Sequence, residues 1–414
     1  MQNGRPEAYI TGVGVVSPIG VGRDDFWNAL LAGKSGMSPI SLFDARDHDV
    51  RIAAECSDFE PKDFMDRKVA QRTDRFAQMG LAASKLALED AHVWDVLNDD
   101  PERVGLILGS GLGGVESMEE TQWTIDNKGP NRVSPFAVTK IMANAAAAHV
   151  GIQLGVQGPS STGALACSCG TDMLAIGYDI IRRGDADVVI CGATEASITP
   201  VIVAGFAAMR AMSRENDDPQ GACRPYDVDR SGFVIGEGAG VMILESEESM
   251  RRRNVEPYAK ITGVGRTTDA YNVTDPDPAG RGLLRAMQLA VERSGLEAEK
   301  IGYVNPHGTG TVAGDGPESQ AIAQVNPNAM VSGTKSTLGH SLGAGGAIET
   351  AICALALKEQ RVPPMKNLKK VAEECADLDY VVDEPRDAPG LEAAMCANLG
   401  VGGHNVALIL ETAE

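Results

Sequence analysis

The sequence predicts an α/β protein built from two similar halves, on three observations. A pentapeptide recurs letter for letter, Ile10-Thr11-Gly12-Val13-Gly14 returning as Ile261-Thr262-Gly263-Val264-Gly265. The segments downstream of each copy keep one order: LALED then ERVGLILGSG in the first half, LAVER then EKIGYVNPHGTG in the second, each a helix-like stretch, a strand and a Gly-rich turn. Composition agrees, because 43% hydrophobic residues, 4% aromatic residues and 47 glycines in 414 favour close backbone packing and tight turns over an all-β sandwich.

Each half opens on a short β-like run, AYI or YAKI, leading into the repeated pentapeptide. Each continues with a small-residue turn feeding a helix, ALACSCGTDMLAIGYDIIRRG and GTKSTLGHSLGAGGAIETAICALALKE. An apolar strand comes next in both, DVVICGATEA and AAMCANLGVGGHNVALILE, and this alternation implies a mostly parallel sheet. The halves are placed at 1–254 and 255–414, joined through SMRRRNVEP, where charge and Pro interrupt the apolar pattern. The stretch from about 110 to 160 has no counterpart of similar length and is expected to cap a site or build a dimer contact.

A net charge of -20 argues against nucleic acid as a partner and against anionic membrane, unless a local basic patch intervenes. The opening residues lack a basic stretch followed by a long apolar run, and no run of about 18 apolar residues occurs, so a cytoplasmic protein without membrane insertion is expected. The eight cysteines are dispersed and show no paired C-x-x-C spacing, so neither a disulfide framework nor structural zinc is expected.

GSGLGG satisfies G-x-G-x-x-G at Gly109, Gly111 and Gly114. The acidic VESMEE after it is wrong for a pyrophosphate, so glycine packing is the better account and no dinucleotide is expected. Cys167 lies between a small-residue run and a helix, where the positive end of the helix dipole lowers a thiol pKa and free N–H groups can hold an oxyanion. On spacing alone, a buried structural cysteine and a nucleophile are equally good readings. The second half tips the balance with His307 in NPHGTGT, Lys335 in GTKSTLGH and His340 five residues on. Two neutral imidazoles can donate hydrogen bonds to a developing enolate, and an ammonium can hold local charge and orient the second imidazole.

Together SPIG, GSGLGG, VSPFAV, GPSSTGALACSCG, RGDADVVICGATEA, CRPYDVDRSGFVIGEGAG, NPHGTGTVAGDGPES, GTKSTLGHSLGAGGAIE and NLGVGGHN resemble the elongating type II β-ketoacyl-acyl carrier protein synthases over nearly the whole chain. The resemblance implies the thiolase fold, a layered α-β-α-β-α sandwich of two duplicated halves, and a homodimer. It implies acyl transfer from acyl carrier protein to Cys167 and decarboxylative condensation with a malonyl-carrier, with His307 and His340 on the enolate oxygen and Lys335 supporting the charge around His340. By the same resemblance the N–H groups of Cys167 and Val401 form an oxyanion hole, and Thr309 and Thr311 meet the phosphopantetheine arm. Glu349 orders the Lys335 loop, Asp315 and Glu318 give structural support, and no cofactor beyond the carrier's phosphopantetheine is implied.

Leu112, Phe206, Leu399 and Val401 match positions lining or gating the acyl pocket. The family usually has Phe at the last two, so an atypical acyl substrate is expected. Cys396 and Ala397 replace the usual Ser and Asn beside a monovalent-cation site that also involves Asn305 and Glu349, so no metal is expected. An acidic carrier requires a basic docking patch, placed at Arg67, Lys68, Arg72 and Arg75 with Arg214 nearby, against the alternative of a solvated helix face. A thiolase using Cys396 as a second catalytic cysteine is disfavoured by the His307, Lys335 and His340 set. A non-catalytic chain-length partner is disfavoured by retention of Cys167, and fatty-acid and polyketide-like pathways both remain open.

Overall fold

The computed structural model describes residues 6–413. The first half contributes β1 (Ala8–Ser17), β2 (Val104–Gly109), β3 (Ser160–Ser161), β4 (Val188–Glu195) and β5 (Gly238–Ser246), in the order β3-β2-β4-β5-β1. The second contributes β6 (Ala259–Thr268), β7 (Ile301–Asn305), β8 (Met330–Val331), β9 (Ala393–Gly400) and β10 (His404–Glu411), in the matching order β8-β7-β9-β10-β6. Directions match as well. β2 runs parallel to β3 and β4, while β5 is antiparallel to β4 and β1; β7 runs parallel to β8 and β9, while β10 is antiparallel to β9 and β6.

Each sheet is therefore evenly mixed, not mostly parallel. The cause is local in the second half: AAMCANLGVGGHNVALILE is a hairpin of β9 and β10, not one strand, reversing where Gly402 and Gly403 take φ of 96° and 80°. In the first half the corresponding strands β4 and β5 are separated by residues 196–237, so their distance in sequence hid their antiparallel pairing. The two sheets meet where the repeats begin, with Ala8, Tyr9 and Ile10 of β1 paired to Ile261, Lys260 and Ala259 of β6.

The repeated pentapeptide is a strand-to-helix contact device. A Cβ on Gly12 or Gly14 would lie 2.4 or 2.0 Å from the carbonyl oxygens of Ala87 and Ala83 in α1 (Arg75–Asp90). The same pentapeptide in the second half puts Gly263 and Gly265 2.0 and 1.8 Å, on the same measure, from those of Ala290 and Ala286 in α3 (Arg281–Ser294). Ala87 and Ala290 are the same letter of LALED and LAVER, so the two echoes in the sequence are partners in space.

Between the sheets lie α2 (Cys169–Arg183) and α4 (Gly345–Glu359), giving helix, sheet, helix pair, sheet and helix in layers. Residues Gly345 to Leu357 of α4 are all buried, which explains why that helix carries no polar face. The two helices meet at their N-termini: a Cβ on Gly170 would come within 2.3 Å of the Ala347 nitrogen, and one on Gly346 within 2.1 Å of Thr171 Oγ1. The segments just upstream of both helices, which carry Cys167 in one and His340 in the other, are thereby brought to one place.

Residues 110–159 hold helices Val115–Lys128, Ala137–Ile141 and Ala145–Leu154, where the second half has only Val312–Val325 between β7 and β8. This stretch exposes Met118, Trp123, Val138, Met142 and Ile152. Among the described residues no helix is long and apolar enough to cross a membrane. All eight cysteines are buried and free of disulfides.

Replacing Gly265 with Ala is expected to cost about 1–3 kcal/mol, because the added methyl meets the Ala286 carbonyl and the layers must part. Gly205→Ala, in helix Pro200–Ala208 with open space around its Cα, is expected to stay within about 1 kcal/mol of the parent. Denaturant midpoints of the two variants check both.

Candidate active site

Cys167 sits in the 3-10 turn Ala166–Ser168 that feeds α2, and Ala166 before it adopts φ 46°, the left-handed region that a non-glycine residue enters only under constraint. The end of β9 passes directly beneath, where a Cβ on Gly400 would lie 2.8 Å from the Leu165 oxygen and 3.3 Å from the Cys167 nitrogen. That approach brings the Val401 N–H to the Cys167 sulfur, beside the N–H of Cys167 itself. Burial is the largest influence on the thiol and pushes it up to about 11, against the pull of those N–H groups and of Lys335. The helix terminus therefore does not make a standing thiolate, contrary to the expectation from sequence; desolvation outweighs it.

The second half repeats this turn. Leu342, φ 44°, starts the 3-10 turn Leu342–Ala344 into α4, so Gly343 stands where the first half has Cys167. Gly343 has no room for a side chain: a Cβ there would lie 2.4 Å from the Gly111 nitrogen and 2.7 Å from Glu195 Oε2.

His307 lies in the loop after β7, and His340 pairs through its backbone with Val234 and Gly236. The sulfur of Cys167 and one nitrogen from each imidazole all fall within 4.8 Å of one another. The rings of His307 and His340 stand edge to face at 5.2 Å, and the series continues outward through Phe233 and Phe206, with centroid separations of 5.2 and 5.4 Å. Burial first, then the charge of Lys335, holds both imidazoles well below the usual histidine range, so both are neutral near pH 7.

Lys335 is fully buried behind them. Its ammonium donates to the His307 carbonyl oxygen at 2.6 Å and pairs with Glu349 Oε1. Glu349 Oε2 accepts from Asn398 Nδ2 at 2.6 Å, and Asn398 Nδ2 also faces His307 Nδ1 at 3.4 Å. Glu318 accepts from the N–H groups of His307 and Gly308 at 2.6 and 2.8 Å and from the Tyr226 hydroxyl at 2.9 Å. Asp315 accepts from Tyr226 N and Gly310 N at 2.8 and 3.1 Å, so both acids shape the loop that carries His307. Burial pushes Asp315 up to about 6 and, with Asp315 as neighbour, Glu318 up to about 7.

One pocket is lined by Cys167, Phe206, His307, Thr309, Thr311, His340, Leu399 and Val401, which the sequence had assigned to one site. Thr309 and Thr311 hydroxyls lie 3.1 Å apart near its mouth, and Thr311 also caps helix Val312–Val325. Leu112 is not among the lining residues; its side chain is exposed while its N–H donates to Glu195. Arg75 is not available for docking, because its guanidinium grips Glu237 at 2.6 and 2.8 Å and the Cys56 carbonyl at 3.1 Å. Arg214 pairs with Asp49 at 3.0 Å, whereas Arg67, Lys68 and Arg72 are exposed, the last above the Phe136 ring.

Several residues of the site escaped the sequence reading, Phe233, Thr274, Asn398 and Glu195 among them. Phe233 and Thr274 line the pocket from loops with no periodic signal. Asn398 opens the NLGVGGHN motif but was given no role of its own there. Glu195 ends β4 and explains GSGLGG: its carboxylate accepts from the N–H groups of Gly111, Leu112 and Gly343 and from the hydroxyls of Ser110 and Ser197. A Cβ on Gly111 would lie 2.6 Å from that carboxylate, whereas Gly109 packs against Cys169 and Met173 and Gly114 against the Lys140 carbonyl.

A monovalent cation beside Glu349 does not fit these residues. Both Glu349 oxygens already accept from nitrogen donors, Asn398 Oδ1 accepts from Thr171, the Cys396 thiol lies against the Gly346 carbonyl, and Ala397 offers no ligand. Among the side-chain oxygens of these residues Asn305 Oδ1 is the one left without a hydrogen-bond partner, fewer open side-chain ligands than an ion site supplies.

Residues 7–249 match the profile described as beta-ketoacyl synthase, N-terminal domain, and residues 258–369 that of the C-terminal domain. The chain belongs to the β-ketoacyl synthase family. It is thus an acyl-transferring condensing enzyme of the thiolase fold. Among relatives of this synthase, the 3-oxoacyl-[acyl-carrier-protein] synthase 2 of Synechocystis sp. is 42% identical over 98% of this chain and 97% of its own length. The protein of the same name from Staphylococcus aureus strain N315 is also 42% identical, over 98% of both chains. Two solved structures superpose over 99% of this chain and 100% of theirs: a β-ketoacyl synthase from Burkholderia phymatum, at 31% identity and TM-score 0.93, and the ishigamide ketosynthase/chain length factor, at 31% and 0.92.

Because the Cys167 thiol is raised to about 11, its alkylation by iodoacetamide is expected to quicken about tenfold per pH unit between about pH 7 and 9. Peptide mapping of the labelled enzyme against pH checks this; a rate already flat at neutral pH would mean a preformed thiolate.

Proposed function

We propose that this synthase lengthens carrier-bound acyl chains by two carbons in fatty-acid biosynthesis, with Cys167 as nucleophile. The convergence of one thiol and two neutral imidazoles within 4.8 Å, in a pocket with an apolar wall, carries this reading. The Cys167 sulfur attacks the thioester carbonyl of an acyl group on acyl carrier protein, and the oxygen takes negative charge between the N–H groups of Cys167 and Val401. The phosphopantetheine thiol departs with the proton that Cys167 gives up, past Thr309 and Thr311. A malonyl-carrier then occupies the same mouth and loses CO₂. The electron pair of the broken bond forms an enolate, whose oxygen accepts hydrogen bonds from His307 and His340. The enolate carbon attacks the Cys167 thioester, the sulfur leaves as thiolate and takes up a proton from solvent, and a β-ketoacyl product results. Lys335, fixed by Glu349, keeps positive charge beside the imidazoles so that neither takes up a proton in place of donating one.

Arg67, Lys68 and Arg72 form the docking patch for the acidic carrier, since they are exposed cations on a chain of net charge -20. We propose that the enzyme acts as a homodimer in the cytoplasm. The dimer reading has support in an asymmetry between the halves: Asp379–Tyr380 covers the edge strand β8, whereas its counterpart β3 pairs with no further strand among the described residues and both its residues are exposed. A polyketide-like pathway is the second reading, favoured by Leu399 and Val401, which line the pocket with aliphatic side chains where the family usually has Phe.

Mass spectrometry after offering a panel of acyl carriers is expected to find an acyl group on Cys167, discharged as a product two carbons longer when malonyl-carrier is added. Val401→Phe is expected to alter which chain length is trapped. An enzyme that never acquires the group on Cys167 would be a non-catalytic partner. Charge reversal at Arg67 and Lys68 is expected to raise KM for carrier-bound substrate about tenfold while sparing a small thioester; equal effects on both substrates would remove the docking patch.

A further inference from the structure

The neutral form of an imidazole is a donor at one nitrogen and an acceptor at the other, so a histidine that must donate to an enolate needs its tautomer fixed by something else. His307 has such a neighbour. Asn398, in β9, presents Nδ2 to His307 Nδ1 at 3.4 Å and to Glu349 Oε2 at 2.6 Å. Its orientation is determined at both ends: the Thr171 hydroxyl donates to Oδ1, and the Glu349 carboxylate, already paired with Lys335, demands a donor. All of these groups are buried, so no water competes for them.

We propose that Asn398 is a positioning residue for His307, whose amide nitrogen fixes the imidazole with its proton on Nε2 and, by donating to Glu349, takes the place of a bound cation. Nδ1 accepts the hydrogen bond from the amide N–H and is closed to protonation, which leaves Nε2–H as the donor available to the pocket. The amide is a neutral donor, so it satisfies the second carboxylate oxygen without adding charge beside two imidazoles that must stay neutral. The network closes on itself: Asn398 to Glu349, Glu349 to Lys335, and Lys335 to the carbonyl oxygen of His307. The consequence for the reaction rests on the proposed condensing mechanism; the assignment of the tautomer does not.

Asn398→Asp keeps the size and removes the donor, and Asn398→Ser withdraws it from reach. Two half-reactions are measured on the full-length enzyme: loading of Cys167 by intact-protein mass spectrometry, and CO₂ release from a malonyl thioester. Both variants are expected to load within about threefold of the parent and to lose at least about tenfold in the rate of CO₂ release, with KM for the malonyl substrate changed less than about threefold. Parent activity is expected to be equal in potassium and tetramethylammonium buffers. Equal losses in the two half-reactions would mean a merely structural residue, undiminished CO₂ release would mean none at all, and parent activity lost on removing potassium would restore the cation; each overturns the proposal. Long-range ¹H–¹⁵N spectra of histidine-labelled enzyme are expected to show the His307 proton on Nε2 in the parent and moved to Nδ1 in Asn398→Asp. An unmoved proton also overturns it, and these spectra decide even if the parent proves unable to load or decarboxylate, which would sink the condensing reading alone.

Discussion

The close approach of two helix N-termini underlies everything else in this protein. Gly170 sits on Ala347, and Gly346 sits on Thr171, because no side chain intervenes. Each helix is preceded by a constrained turn, so contact at that point determines where the turns and the loops beside them lie. The thiol comes in with one helix and His340 with the other, while His307 arrives from the end of β7. A larger residue at either glycine would push the helices apart and spread the three reactive groups, with little change in the sheets that carry them.

Charge at this junction is kept low by pairing rather than by solvent. A lysine and a glutamate share the interior, and removing either alone would strand its partner at a cost of about 3–5 kcal/mol. The benefit is functional: a permanent positive charge beside two imidazoles suppresses their protonation, and each thus retains a lone pair and an N–H. The same burial raises the thiol, so Cys167, His307 and His340 are all neutral at rest, in front of a buried ion pair.

Much of this was legible in the chain itself. The repeated ITGVG and its LALED or LAVER echo reported real contacts, because a glycine that must meet a helix backbone tolerates no substitute in either half. Cys167, His307, Lys335 and His340 were legible only as a set: the thiol alone reads equally well as a packed cysteine, and the two imidazoles and the ammonium, with the motifs around them, tipped the balance. Strand direction was not, because a hairpin closed by Gly402 and Gly403 looks like one apolar run until its reversal is seen. Arg75 looked like a surface cation within a basic segment, and only tertiary structure reveals Glu237 beneath it. Asn398 and Glu195 were missed for the same reason: a polar residue within an apolar stretch declares its importance only through partners distant in sequence.

The turn at Gly343 shows what duplication left behind. A second copy of the nucleophile turn exists, complete with its strained residue, yet the place for a reactive side chain is occupied by the Glu195 carboxylate and the Gly111 backbone. On the proposed mechanism the ancestral symmetry has thus become a division of labour, one half holding the growing chain and the other supplying the groups that activate its extender. With a single attachment point per polypeptide, two growing chains can never be tethered side by side in one subunit and be joined to each other.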